Sequence, residues 1–155
     1  MTTYVDSSAL VAVYVPERFS KAARRAVRSL PQVPFTQLHE LEVRNAFELL
    51  TGRGLISEEE RRGIHAQLQE DVEHQRLAQV VMDLDRVFRD AGELSRAHSA
   101  KFLTRTLDLL HVAAAHAVMC TTFVSADDRQ LAVARATWGP AATSGPGEPH
   151  AAGGA

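Results

Sequence analysis

Four acidic residues, widely separated along the chain, are the best candidates for chemistry. Asp6 and Asp127 each follow a short run of residues that favours a β-strand, and Glu42 and Asp108 lie in apolar segments that predict helices. Carboxylates without an accompanying cluster of cysteine or histidine suit a hard cation, Mg²⁺ or alternatively Mn²⁺, rather than zinc. A cation held in this way can activate water and hold a phosphate group. The four acids therefore predict metal-dependent phosphoester hydrolysis.

Three of these acids also have simpler structural explanations. Asp6 and Asp127 each precede a predicted helix, and aspartate is a favoured helix cap. Asp108 lies near the start of a predicted helix that Thr106 could cap, where a negative charge contributes at most about 1 kcal/mol. His111 follows one turn later, and we expect it to be a hydrogen-bonded core residue rather than a ligand. Capping and metal binding both stay open for these positions.

Glu42 is harder to explain structurally. At about 100° per residue, the apolar residues of its helix form one broad face. The members of that face are Leu38, Leu41, Val43, Ala46, Phe47, Leu49 and Leu50. Glu42 is predicted to point into this face, whereas Glu40 and Glu48 point away and Glu40 precedes Arg44 by one turn, as in an exposed ion pair. A carboxylate that faces the core must be paired, protonated or bound to a cation.

Strands and helices alternate along the sequence. Strands are predicted at residues 2–5, 33–35, 77–82 and 121–125, with a short edge strand at 142–144. Helices are predicted from Ser7 onward and at residues 20–30, 36–52, 57–74, 84–98, 107–119 and 128–135. The alternation indicates an α/β fold, with a mostly parallel sheet covered on both faces. Ligands of such folds bind beyond the carboxyl ends of the strands, where Asp6 and Asp127 lie.

The bulk composition predicts one soluble domain. A chain of 155 residues is long enough for one core, and we assign residues 1–144 to it and residues 145–155, rich in Gly, Pro and Ala, to a disordered tail. No apolar run reaches the roughly 18 residues of a membrane span. The amino terminus lacks the pattern of a secretion signal, and the single cysteine, Cys120, suits a reducing compartment. We therefore expect a cytoplasmic protein without membrane contact.

The net charge does not by itself predict a nucleic-acid partner. The formal charge is −2, so the overall field is slightly acidic. A metal ion in an acidic pocket would reverse the local sign of the charge. Arg24, Arg25 and Arg28 cluster on one predicted helix, and a solvated helix face explains that cluster more simply than a binding site.

The acids lie in four ordered motifs that resemble those of the PIN-domain ribonucleases, and most closely the VapC toxins of toxin–antitoxin pairs. The motifs are YVDSSALV at 4–11, EVRNA at 42–46, LDLLHVAAA at 107–115 and FVSADDRQ at 123–130. The resemblance spans roughly residues 3–138. It places the four acids of the family on Asp6, Glu42, Asp108 and Asp127. Asp128 is an alternative for the fourth, although the Ser-x-Asp spacing of Ser125 and Asp127 fits the pattern of the family better.

The resemblance implies a single PIN-like domain with a mostly parallel five-stranded sheet flanked by helices. It also implies a homodimer that cleaves structured or transfer RNA, leaving 5′-phosphate and 3′-hydroxyl ends, and a cognate antitoxin that blocks the site with a basic side chain. We expect Asp6, Glu42 and Asp108 to form the main cation site and Asp127 to tune it or to hold a second ion. Thr104 and Arg105 are candidates for phosphate contact or for capping and surface roles.

Two other functions fit parts of the sequence. A PIN-like module that binds RNA or a protein without cleaving it would share the fold, but the full set of four acids argues against it. A phosphatase or other phosphotransfer enzyme would need a second aspartate soon after Asp6, where Ser7, Ser8 and Ala9 stand.

Overall fold

The strands form two parallel sheets in the computed structural model, which describes residues 2–16 and 20–145. The first sheet has the order β1-β4-β5, and the second pairs β2 with β3. The strands are β1 (Thr3–Val5), β2 (Val33–Thr36), β3 (Leu77–Val80), β4 (Thr122–Val124) and β5 (Thr143–Ser144). The α/β class and the parallel pairing are as predicted.

The prediction of one five-stranded sheet is wrong for the described residues. β2 lies beside β1, but no backbone ladder joins them. The imidazole of His39 takes the place of part of that ladder, because its Nε2 lies 2.9 Å from the carbonyl oxygen of Val5 at the end of β1. The backbone N–H of Thr36, at the end of β2, donates to Nδ1 of the same ring at 3.1 Å. A buried side chain thus links the ends of the two strands.

Helices cover both faces of the strands. They are α1 (Ser7–Tyr14), α2 (Ser20–Arg28), α3 (Gln37–Gly52), α4 (Glu58–Glu73), α5 (Leu84–Leu94), α6 (Ala100–Phe102), α7 (Thr106–Ala117) and α8 (Asp128–Trp138). Because side chains alternate along a strand, Tyr4 and Phe123 pack with α5, α7 and α8, whereas Val5 and Val124 pack with α1, α3 and α4. The two cores meet at β1 and β4, and Asp6 and Asp127 follow these strands along the chain.

Most predicted helix starts are confirmed. Thr36 caps α3, and Ser57 with Glu60 forms the predicted capping box of α4. α7 is buried almost all round, as its apolar composition predicts. No helix in the described part of the chain is long and apolar enough to cross a membrane. Apart from Gly145, the predicted tail lies outside the described residues.

Two predicted elements end elsewhere. β3 stops at Val80, and the backbone N–H of Met82 donates to the side chain of Gln37 instead of extending the strand. The helix predicted to end near residue 98 continues through a π-helical segment, Ser95–Ser99, into α6. The chain then turns at Leu103, which has a φ of 52°. A leucine in the left-handed region leaves no sequence signal, because glycine and asparagine are the usual residues there.

We predict that His39 makes stability depend on pH. Burial is the main cause that lowers the pKa of His39 well below its usual value, and the neighbouring His111 lowers it further. The unfolded chain therefore binds a proton near pH 6.5 that the folded chain does not, so the free energy of unfolding should fall as the pH drops from about 7 to about 5. Urea denaturation across this range should show a shallower decline for His39→Gln than for the wild type.

His74→Gln is the matched control, because His74 is exposed on the protein surface. It should keep the wild-type decline. Equal slopes for His39→Gln and the wild type would contradict a neutral, buried His39.

Candidate functional site

The four predicted acids line one cavity of about 400 Å³ at the carboxyl ends of β1 and β4. Glu42 and Asp108 reach it from α3 and α7, and Asp6 and Asp127 reach it from the cap positions that precede α1 and α8. The cavity is also lined by Ser7, Ser8, Arg105, Thr106, Leu107, His111 and Gln130. Asp128 is exposed and does not line the cavity, so the geometry favours Asp127 over its neighbour. The arginine cluster on α2 lines a separate surface concavity.

Asp6 is the most deeply buried of the four acids, with 3% of its surface exposed. Its carboxylate caps α1 by accepting from the backbone N–H of Ala9 at 2.9 Å, and it also accepts from the hydroxyl groups of Ser8 and Ser125. Burial raises the pKa of Asp6, although His111 and these hydrogen bonds partly oppose the shift. The capping role and the cavity position thus coincide in one side chain.

Glu42 lies at the edge of the buried face of α3. Val43 and Phe47 are buried, but Leu41 is 70% exposed and Leu49 is 48% exposed, so the apolar face is narrower than the sequence predicted. The Glu42 side chain retains 23% exposure and reaches across to α7. The prediction that Glu42 points into the core is confirmed only in part: its carboxylate bonds the buried Ser7 and His111, but the side chain lies at the edge of a narrower buried face because Leu41 and Leu49 face solvent.

His111 anchors Glu42 to the core. Its Nε2 hydrogen-bonds a Glu42 carboxylate oxygen, and its Nδ1 lies 2.8 Å from the hydroxyl of Tyr4. A carboxylate only accepts, so the shared proton lies on Nε2, and Tyr4 is placed to donate to Nδ1. Burial is the main cause that raises the pKa of Tyr4 and keeps its hydroxyl protonated. His111 is the hydrogen-bonded core residue that was expected, but the sequence did not reveal its contact with Glu42.

Arg105 bridges the two remaining acids. Its guanidinium lies 3.0 and 3.2 Å from the oxygens of Asp108 and 2.7 Å from Oδ2 of Asp127. Hydrogen bonds to Asp108 are the largest cause that raises the pKa of Arg105. Arg105, rather than Thr106, occupies the cap position of α7, and its backbone N–H donates to Asp108. The sequence signal for this bridge was only the Arg-x-x-Asp spacing.

Ser125 connects Asp6 with Asp127. Its hydroxyl oxygen lies 2.8 Å from Oδ2 of Asp6 and accepts from the backbone N–H of Asp127 at 3.0 Å. Asp127 in turn caps α8 by accepting from the backbone N–H groups of Arg129 and Gln130. The Ser-x-Asp spacing is visible in the sequence, but the link from Ser125 to Asp6 joins residues 119 positions apart and leaves no local signal.

The donor chemistry of the cavity fits a hard divalent cation, because carboxylates from four segments face the same space. The present spacing of these groups is less suitable. Within residues 2–16 and 20–145, no three His, Cys, Asp or Glu side chains converge closely enough to hold a metal ion. Arg105 explains part of this spacing, since its guanidinium lies between Asp108 and Asp127.

Comparisons with known proteins agree on the fold. Residues 3–136 match the family model of the PIN domain. The crystal structure of FitAcB from Neisseria gonorrhoeae is similar, with a TM-score of 0.62 over 86% of this chain and 93% of that chain. The sequence identity is 14%, so this likeness concerns the fold alone. No curated protein matches the chain.

We predict that Ser125→Ala destabilises the protein by about 1–3 kcal/mol, because Asp6 and the Asp127 backbone N–H each lose a buried partner. Urea denaturation at neutral pH measures the change. Ser29→Ala is the control, since Ser29 is exposed and its hydroxyl bonds only a local carbonyl. Equal stability of the two variants would show that the Ser125 link is dispensable.

Proposed function

Because this chain belongs to the PIN domain family, we propose that it is a divalent-metal-dependent endoribonuclease and the toxin of a type II toxin–antitoxin pair. One observation carries the proposal. Carboxylates from four distant segments line a single cavity at the carboxyl ends of two parallel strands. Grouping four like charges is costly unless a cation offsets them, so such a cavity suits cation-assisted chemistry on a phosphate.

We assign the main cation site to Asp6, Glu42 and Asp108, and a tuning role or a second ion to Asp127. When bound, Mg²⁺ or Mn²⁺ supplies Lewis-acid stabilisation of the phosphate and activation of water. The protein supplies orientation. Ser8, the Ala9 N–H and Ser125 fix the carboxylate of Asp6, and His111 fixes that of Glu42.

The proposed substrate is RNA, and the support is the resemblance of the four motifs to VapC toxins. On α2, Lys21, Arg24, Arg25 and Arg28 line an open concavity that is separate from the acidic cavity. Such a surface suits the phosphate backbone of a substrate that extends beyond the cavity. The same resemblance supports a homodimer and a cognate antitoxin that covers the acids.

We predict that Asp6→Asn abolishes cleavage of a structured RNA in the presence of Mn²⁺. Changing partners of metal ligands already costs about 10–100-fold, so loss of a ligand should cost at least about a hundredfold. Asp128→Asn is the matched control, because Asp128 is exposed and lies outside the cavity. The measurement is the cleavage rate of end-labelled transfer RNA with Mn²⁺ and with EDTA.

The ends of the products should carry a 5′-phosphate and a 3′-hydroxyl. Undiminished cleavage by Asp6→Asn, or equal losses in the two variants, would remove the cavity from the mechanism.

We also predict that Mn²⁺ stabilises the folded protein. A ligand that binds only the folded state adds about 2.7 kcal/mol to the free energy of unfolding at a hundred times its Kd. Increasing Mn²⁺ should therefore raise the Tm of the wild type and of Asp128→Asn, but not that of Asp6→Asn. Thermal denaturation at several Mn²⁺ concentrations measures the change. If the Tm of all three proteins does not change with the Mn²⁺ concentration, cation binding in the cavity is refuted.

The second candidate is a PIN-like module that binds RNA or a protein without cleaving it. It is favoured by the Arg105 bridge, which already neutralises part of the acidic set without a metal. The discriminating observation is RNA that binds the purified protein and is recovered intact after incubation with excess Mg²⁺.

A further inference from the structure

Arg105 occupies a position that the proposed chemistry does not use. Both carboxylate oxygens of Asp108 are engaged by this one residue, Oδ2 by its backbone N–H and Nε, and Oδ1 by its Nη2. The same Nη2 lies 2.7 Å from Oδ2 of Asp127, an acid at the start of another helix. The guanidinium is thus the cation around which these two acids are arranged.

A divalent cation would need the oxygens that Arg105 now contacts. Mg²⁺ binds oxygen at about 2.0–2.1 Å and in near-octahedral geometry, which leaves no room for a guanidinium on the same lone pairs. The two cations would also repel each other at such a short distance. On the carboxylate lone pairs that Arg105 now occupies, its guanidinium and a bound metal ion therefore exclude each other.

The Arg105 side chain can move away from Asp108 and Asp127. It remains 59% exposed despite its contacts with two acids, so it can swing into solvent without crossing the core. It comes two residues after the left-handed residue Leu103, and its own backbone is extended rather than helical. The backbone N–H of Arg105 bonds Asp108 independently of the guanidinium, so departure of the side chain does not remove the cap of α7.

We propose that Arg105 is a built-in counter-cation, which holds Asp108 and Asp127 together in the metal-free protein and which the divalent ion must displace. The inference rests on the proposed function, since it assumes that a metal ion binds in this cavity. It predicts that Arg105 weakens metal binding while it stabilises the metal-free fold. A residue that merely capped a helix would affect only stability.

The test is isothermal titration of MnCl₂ into the full chain. Arg105→Met keeps the length and apolar stem of the side chain but removes the guanidinium, and Arg105→Gln is a second neutral variant in case the first folds poorly. Arg129→Met is the matched control. This substitution removes a guanidinium whose Nε lies 3.9 Å from Oδ1 of Asp127, and it leaves the contacts between Arg105 and Asp108 in place.

Hydrogen bonds to charged groups correspond to affinity changes of about ten- to a hundredfold, so Arg105→Met should bind Mn²⁺ at least about tenfold more tightly than the wild type. The affinity of Arg129→Met for Mn²⁺ should rise by only a small part of this factor. If the Mn²⁺ affinities of Arg105→Met and Arg129→Met rise equally, the change in net charge alone explains the increase, and the inference is overturned. Unchanged affinity in Arg105→Met would do the same and would leave the proposed nuclease intact.

Stability gives a second measurement that needs no activity. In EDTA, Arg105→Met should unfold at a lower urea concentration than Arg129→Met, and saturating Mn²⁺ should close the gap. A gap that persists in Mn²⁺ would assign Arg105 a purely structural role and overturn the inference. Failure of Mn²⁺ to bind the wild type and all variants would instead refute the proposed function, and the inference with it.

Discussion

The cost of burying charged carboxylates in one cavity is the constraint on which the rest of this structure depends. Asp6 is almost fully buried, and burial raises its pKa, so its charged form needs help from its surroundings. The fold supplies that help through backbone N–H groups at the starts of helices and through serine hydroxyls. For Asp108 and Asp127 it supplies a guanidinium. Asp6 is thus stabilised by hydrogen bonds, whereas Asp108 and Asp127 share one arginine.

Parallel topology explains why these devices lie at the same place. β1 and β4 run side by side in the same direction, so the helices that follow them, α1 and α8, begin at the same edge. The first turns of those helices present their caps, Asp6 and Asp127, to one cavity. A residue that caps a helix at this edge therefore also lines the cavity, so capping and a position in the cavity are compatible for the same acid.

Histidine side chains connect the site to the core. His39 links the end of β1 to the end of β2, and its neighbour His111 holds Glu42. Tyr4 packs against both rings and hydrogen-bonds one of them. Because the rings are buried, their hydrogen bonds are shielded from water, and the bond from His111 ties the partly exposed Glu42 to the core.

The sequence by itself determined the α/β class, most of the helix starts and the four acids that line the cavity. Those features depend on local patterns: alternation of strands and helices, capping residues, and short motifs whose order resembles that of a family. The narrow buried face of α3 was not determined in this way, because Leu41 and Leu49 are apolar yet exposed, and only packing decides which apolar residues are buried.

Only the tertiary structure decided four contacts. His39 lies between β1 and β2, and His111 hydrogen-bonds Glu42. Ser125 joins Asp6 to Asp127, and Arg105 bridges two acids. The physical reason is that these contacts are made by side chains that meet in space from distant segments. Hydrogen bonds and ion pairs of that kind depend on ångström-scale distances and leave no periodic pattern in the chain.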